Sequence, residues 1–169
     1  AAAADLARCG YPVIVFEKEK MAGGLLRYGI GPHRLPRDIL DAELGYIERL
    51  GVRFITGHAV DLDQDIDRLK KEFAAVILAT GTWRDKKLGV PGETLAGVEG
   101  CIAFLTRLYR DEIISLNGKV AVIGDGNAAF DLARTLARLG ADVTILSWFP
   151  EDLIPADAEE VRAATEEGI

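Results

Sequence analysis

The residues with the clearest chemical use lie in the run KVAVIGDGNAAFD, Lys119 to Asp131. Gly124, Gly126 and Ala129 give the spacing Gly-x-Gly-x-x-Ala directly after an apolar run and at the start of a helical pattern, the context in which that spacing carries meaning. Gly124 permits a tight turn. Gly126, with no Cβ, lets a pyrophosphate approach the backbone N–H groups of the turn formed by Gly124, Asp125, Gly126, Asn127 and Ala128. Asn127 is expected to cap the helix, Ala129 is small enough to bring helix and strand together, and Asp131 is expected to be structural near the positive helix end. The chemistry implied is the holding of a nicotinamide dinucleotide.

About twenty residues further on, such a site offers an acid to the ribose hydroxyls of NAD or an arginine to the 2′-phosphate of NADP. Here the next strand ends in ILSWFP, with Ser147, Trp148 and Phe149 where a base would stand and Glu151 and Asp152 following. Asp125 adds an acid inside the glycine turn. A dianionic 2′-phosphate would meet no bidentate partner and some repulsion, so NADH is favoured over NADPH. Ser147 or a loop acid would meet the ribose, and Trp148 or Phe149 would lie against adenine. The other reading has the aromatics packing at a domain edge beside a vestigial nicotinamide site.

A second candidate constellation stands in the first half. The strand VIVFEKEK ends in Glu17, the position from which an acid holds an adenosine ribose in an open parallel sheet. Gly23 and Gly24 follow, where missing Cβ atoms allow a close ligand approach.

The elements that must position these residues are short apolar runs alternating with helical patterns. Runs at Val13–Phe16, Val52–Ile55, Ala75–Ala79, Val120–Ile123 and Val143–Leu146 read as buried parallel strands. Arg37–Leu50 and Ala128–Leu139 place apolar residues three and four apart, with Gly51 and Gly140 as stops. The fold class is therefore α/β: two Rossmann-like parallel-sheet nucleotide-binding units. AAAADLARCG opens as a helix with no strand before it, and the helix ending at Gly168 leads to an apolar Ile169, so the first unit is expected to be incomplete at both chain ends and the chain a piece of a longer polypeptide. The Gly- and Pro-rich stretch LGVPGETLAGVEG is the best linker, giving residues 1–92 as a partial FAD-binding domain, 93–116 as linker and connecting helix, and 117–169 as a partial NAD(P)-binding domain.

Bulk properties exclude several classes. The 169 residues are 49% hydrophobic and 28% charged, an ordinary globular balance. A net charge of −7 disfavours nucleic acid and anionic membrane surfaces. Cys9 and Cys101 form no CxxC or ligand spacing and read as two buried thiols, so no metal site is expected. No apolar run approaches the ~20 residues of a membrane helix, which makes a cytoplasmic setting the default expectation.

The motifs FEKEKMAGGLLRYGIGPHRLPRDILDAELGYIERLGVRF, VILATGTW and GVPGE, followed by GDGNAAFD, resemble in order and spacing the FAD-binding half of the glutamate synthase small subunit and its relatives, including the flavin part of dihydropyrimidine dehydrogenase. The resemblance runs over essentially the whole chain. It implies that Glu17 holds the FAD ribose, that Gly24 and Leu25 pass the flavin, that Arg34 reaches the cofactor, that Val60 presents backbone to adenine, and that Thr80 and Gly81 lie beside the cofactor. The family's own glycine-rich turn before the first helix is not in this chain, so the chain by itself is expected to hold FAD weakly. GIGPHRLP departs from the usual GIPxFRLP, and His33 there either tunes a flavin or is simply solvated. NADPH-using relatives carry basic residues at the positions of Trp148 and Phe149.

The activity implied is that of a flavin-dependent NAD(P)H oxidoreductase passing hydride between nicotinamide and FAD, with electrons relayed to an iron–sulfur domain or subunit. The cofactors carry that chemistry, so no catalytic side chain is required of this span. Two rivals remain: a non-catalytic assembly module that keeps the nucleotide folds as scaffold, and a single-Rossmann dehydrogenase, for which no convincing Tyr/Lys pair is visible.

Overall fold

The alternation of apolar runs and amphipathic segments resolves into helices and two parallel strand pairs in the computed structural model, which describes residues 1–110 and 116–169. The backbone forms two compact units: residues 1–27 with 35–82, and residues 28–34 with 83–169.

The first unit contains α1 (Ala2–Arg8), β1 (Ile14–Phe16), α2 (Gly24–Tyr28, whose last residue belongs to the second unit), α3 (Arg37–Arg49), β2 (Arg53–Ile55) and α4 (Leu62–Glu72). β1 and β2 run parallel, pairing Ile14 with Arg53, Val15 with Phe54 and Phe16 with Ile55. α3 supplies the crossover that parallel strands require, and its apolar face buries Leu40. The sequence pattern does not single out α4, because its apolar residues are sparse. Local interactions specify it instead: Asp61 caps it by accepting from Asp63 N–H at 3.0 Å, and Arg68 pairs with Asp65 and Glu72 on neighbouring turns.

Two expectations for this unit fail. Ala75–Ala79 is not a strand, and Ile77 and Leu78 are 58% and 60% exposed. A parallel strand exists through ladder hydrogen bonds, and among the described residues β1 and β2 pair only with each other. Cys9 is exposed rather than buried, because it is the C-cap of α1 just before the left-handed turn at Gly10.

The second unit contains α5 (Cys101–Tyr109), β3 (Lys119–Ile123), α6 (Asn127–Arg138), β4 (Asp142–Leu146), a 3-10 turn at Glu151–Leu153 and α7 (Ala158–Glu166). β3 and β4 pair in parallel over five residues, from Lys119 with Asp142 to Ile123 with Leu146. The core joins Phe104 and Leu105 of α5, Val122, Ala133 and Leu136 of α6, and Val143, while Phe130, Ala156 and Ala164 form a smaller cluster with α7. The helix expected to connect the two domains, within residues 93–116, is α5, and it packs into this unit: Leu105 is only 1% exposed, and burying such a side chain contributes about 1.5–3 kcal/mol. Residues 111–115 of the expected connecting segment lie outside the described residues. Burial alternates along both strands, and Ile123 and Leu146 are half exposed, so helices cover one face of this pair rather than two.

No helix among the described residues is long and apolar enough to cross a membrane.

Candidate dinucleotide-binding site

In the second unit the parallel ladder extends one step past β3, where Gly124 N–H donates to Leu146 C=O at 3.0 Å, and the chain then turns into α6. Gly124 has φ +139°, a conformation that L side chains rarely adopt, so its glycine is demanded by the backbone. Gly126 is different. It is the N-cap of α6 with φ −89°, and a Cβ built there would meet no atom of the chain within 4 Å. Neither backbone conformation nor packing within the chain requires glycine at this position. The open approach leads onto the positive end of a twelve-residue helix whose N-terminus no side chain caps. Ala129 closes the turn, donating from its N–H to Gly126 C=O at 2.9 Å and packing against the core.

Asn127 does not cap α6, contrary to expectation. Its side-chain amide donates to Asp157 Oδ2 at 2.9 Å and accepts from Asp157 N–H at 2.8 Å, tying the start of α6 to the N-cap residue of α7. This two-way match leaves the α6 N-terminus clear.

Asp125 is nearly buried and reaches across to the end of β4, where Oδ2 accepts from Trp148 N–H at 3.1 Å and lies 3.1 Å from Ser147 Oγ. Ser147 Oγ also accepts from Phe149 N–H and lies 2.8 Å from Phe149 C=O, so its single proton is shared between that carbonyl and Asp125. The structure therefore brings Asp125, Ser147 and Trp148 together beside Gly124 and Gly126. Trp148 and Phe149 are 65% and 50% exposed. Near the same turn, Cys101 lies with Sγ 3.5 Å from Ala128 C=O, and burial, with Asp85 and Asp131 adding repulsion, pushes its thiol up to about 12. It is a packing residue rather than a nucleophile.

Arg34, expected to reach the cofactor, is committed within the second unit. Its Nη1 donates to Asp131 Oδ2 at 2.7 Å, its Nε lies 3.0 Å from Glu160 Oε1, and its Nη2 lies 3.9 Å from Asp157. Burial raises the Asp131 carboxyl above its ordinary value, with Arg34 opposing. Arg134 in turn holds Glu160 and Glu167, and Arg138 holds Glu167. Asp157, Glu160 and Glu167 belong to no motif; the acidic start of α7 is the one sequence signal near them, and a pairing with Arg34 has no sequence spacing to reveal it.

His33 folds back over Gly31, where an added Cβ would collide with the imidazole ring. The Gly31 and His33 departures from the family pattern therefore go together. Burial, and then Arg138 and Arg134, lower the His33 pKa, so the ring is neutral near neutral pH.

In the first unit, Glu17 follows β1 directly. Its N–H donates to Ile55 C=O, its C=O accepts from His58 N–H, and its carboxylate accepts from Glu19 N–H, each at 2.9 Å. These bonds place an acid at the C-terminal edge of the β1–β2 pair, with half-buried Val60 two residues beyond His58. Gly23 has φ +129° and packs tightly on Arg27 and Leu40, whereas Gly24, with φ +53°, starts α2 in open space beside half-buried Leu25. Thr80 and Gly81 lie exposed on irregular backbone.

A parallel strand, a glycine turn and an open helix N-terminus define a nucleotide-binding α/β protein. All 169 residues match the pyridine nucleotide-disulphide oxidoreductase family, and the chain belongs to that family. It is 42% identical over 172 residues to the NADP(+)-dependent formate dehydrogenase subunit beta of Moorella thermoacetica, covering 99% of this chain and 24% of that protein. It is 35% identical over 170 residues to the NAD-dependent dihydropyrimidine dehydrogenase subunit PreT of Escherichia coli, covering 99% and 41%. Glutamate synthase [NADPH] small chains are also among its relatives, so the expected family resemblance is borne out. Mycobacterium tuberculosis FprA in complex with NADPH shares the fold with a TM-score of 0.79 at 22% identity, over 98% of this chain and 44% of that one. The chain spans less than half the length of these proteins, from 24% to 44%.

Proposed function

We propose that this chain is part of a flavin-dependent NAD(P)H oxidoreductase in which the β3–α6 turn holds the nicotinamide dinucleotide and Glu17 holds the FAD ribose. The observation that carries the reading is Gly126, a glycine that the chain's own backbone and packing do not require, set at an open helix N-terminus where a pyrophosphate fits. When bound, the two cofactors supply the hydride exchange between nicotinamide and flavin rings. The residues of this chain do the holding: Gly124 shapes the turn, the N–H groups from Gly126 to Ala128 face the phosphates, and Asp125 with Ser147 faces the adenosine ribose. Gly24, Leu25, Val60, Thr80 and Gly81 are assigned to the FAD side. Arg34 is not, since Asp131 and Glu160 already take its donors. Onward transfer to an iron–sulfur domain or subunit rests on the family resemblance, and the free thiols of Cys9 and Cys101 suit a reducing, cytoplasmic setting.

Nucleotide choice rests on local residues alone, because the relatives' names are mostly of NADP(H) enzymes, while PreT's is of a NAD-dependent one. The Asp125 carboxylate, bonded to the end of β4, adds negative charge on the ribose side of the proposed site, and this supports a preference for NADH. The test is flavin reduction in the complete protein by each nucleotide at matched ionic strength. NADH is expected to be the faster reductant, and Trp148→Arg with Phe149→Arg should shift the ratio toward NADPH by about one to two decades, the net of two charge-assisted contacts less side-chain ordering. Wild-type protein reduced faster by NADPH refutes the preference, and protein reduced by neither favours the scaffold reading.

A further inference from the structure

The first turns of α6 are surrounded by acids. Asp125 lies in the turn itself. Asp157 is bonded to Asn127, the first helical residue. Asp131 is four residues further on, about 6 Å along the axis, with its side chain only 6% exposed, and Glu160 lies between Arg34 and Arg134. A helix N-terminus attracts anions, yet each of these carboxylates opposes a pyrophosphate brought to it. Arg134 is shared with Glu167, which leaves Arg34 as the cation bonded to Asp131 in the structure described.

We infer that Arg34 is a positioning residue of the dinucleotide site: it neutralises Asp131 and Glu160 beside the α6 N-terminus and so lets the turn accept a second anion without touching it. The inference rests on the dinucleotide reading above. The geometry separates it from a direct cofactor contact, since Nη1 and Nε point at carboxylates 2.7 and 3.0 Å away. It also separates it from a simple staple. A staple holds a loop whatever its charge, whereas a neutraliser becomes dispensable once the charge it offsets is gone.

The experiment measures NADH and NADPH affinity of the complete protein by titration calorimetry at mildly alkaline pH, with FAD content and thermal unfolding followed in parallel. Arg34→Leu should weaken the preferred nucleotide about tenfold or more, as an uncompensated charge within ~10 Å of the phosphates implies at an intermediate effective dielectric. Arg34→Lys should retain most of the affinity. Arg34→Leu combined with Asp131→Asn should recover most of the loss, with FAD content unchanged throughout. The double variant also covers the case in which the single one fails to fold, because it leaves no unpaired charge buried. A double variant that binds as weakly as Arg34→Leu, or a single variant that binds like wild type or sheds FAD, overturns the inference. Wild-type protein that binds neither nucleotide overturns the dinucleotide reading itself.

Discussion

The two parallel strand pairs each carry an acid at their C-terminal edge, and it comes from different elements. In the first unit the acid comes from the strand: Glu17 follows β1 and is braced by Glu19, Ile55 and His58. In the second it comes from the glycine turn, and Asp125 reaches across to a β4 end that carries only Ser147 and the backbone of Trp148. The difference teaches that the carboxylate position is a property of the sheet edge, which either flanking loop can supply. On the reading proposed above, Asp125 supplies the acid that the sequence lacks at the usual place twenty residues on. The units differ in packing as well. Both clusters of buried apolar residues described lie in the second unit, while every residue of β1 is only half buried.

The largest test of this contrast sets the two turn glycines against each other. Gly126→Val should lower dinucleotide affinity more than about a hundredfold while altering stability by only about 1 kcal/mol, since its Cβ faces open space and the change falls at an N-cap. Gly124→Ala should act through the fold, costing about 1–3 kcal/mol from the backbone strain at φ +139°. Denaturation midpoints and binding titrations on both variants check this, and equal affinity losses with equal stability losses would erase the distinction.

Next in size, Glu17→Ala should weaken FAD binding in the complete protein by about tenfold to a hundredfold, the loss of one charge-assisted hydrogen bond of about 1.5–3 kcal/mol, and leave nucleotide affinity alone. FAD retained through extensive dialysis at wild-type level would remove the parallel between the two edges.

The smallest effect is in acid stability. Burial raises the Glu167 carboxyl, but hydrogen bonds from Arg138 and Arg134 outweigh it and bring the group from 4.5 to about 2. A depressed carboxyl contributes stability that is complete above the unfolded value and is lost as pH falls from about 4.5 to about 2. With the side chain a quarter exposed, solvent screening holds the contribution to about 1 kcal/mol. Urea midpoints should fall through that window in wild type and more shallowly in Glu167→Gln. Identical slopes would show that the α6–α7 ion pairs add nothing to the second unit.

Much of this was written locally. Alternating apolar runs and helical spacing determine β3, α6 and β4 to within a residue, because period and stop signals act over a few neighbours. The same locality made the Gly124 turn and the strand-end Glu17 legible. Ala75–Ala79 was misread for the complementary reason: its composition suits a strand, but a strand is made by its partners. Tertiary structure alone decided the rest. Asn127 turns to Asp157 instead of capping α6, Asp125 reaches across to the end of β4, and Arg34 leaves the first half of the sequence to join Asp131 and Glu160. Each of these is a pairing of charged or polar groups far apart in the chain, and such pairings leave no periodicity behind. Their geometry is set only when the packing of apolar faces has brought the helices side by side.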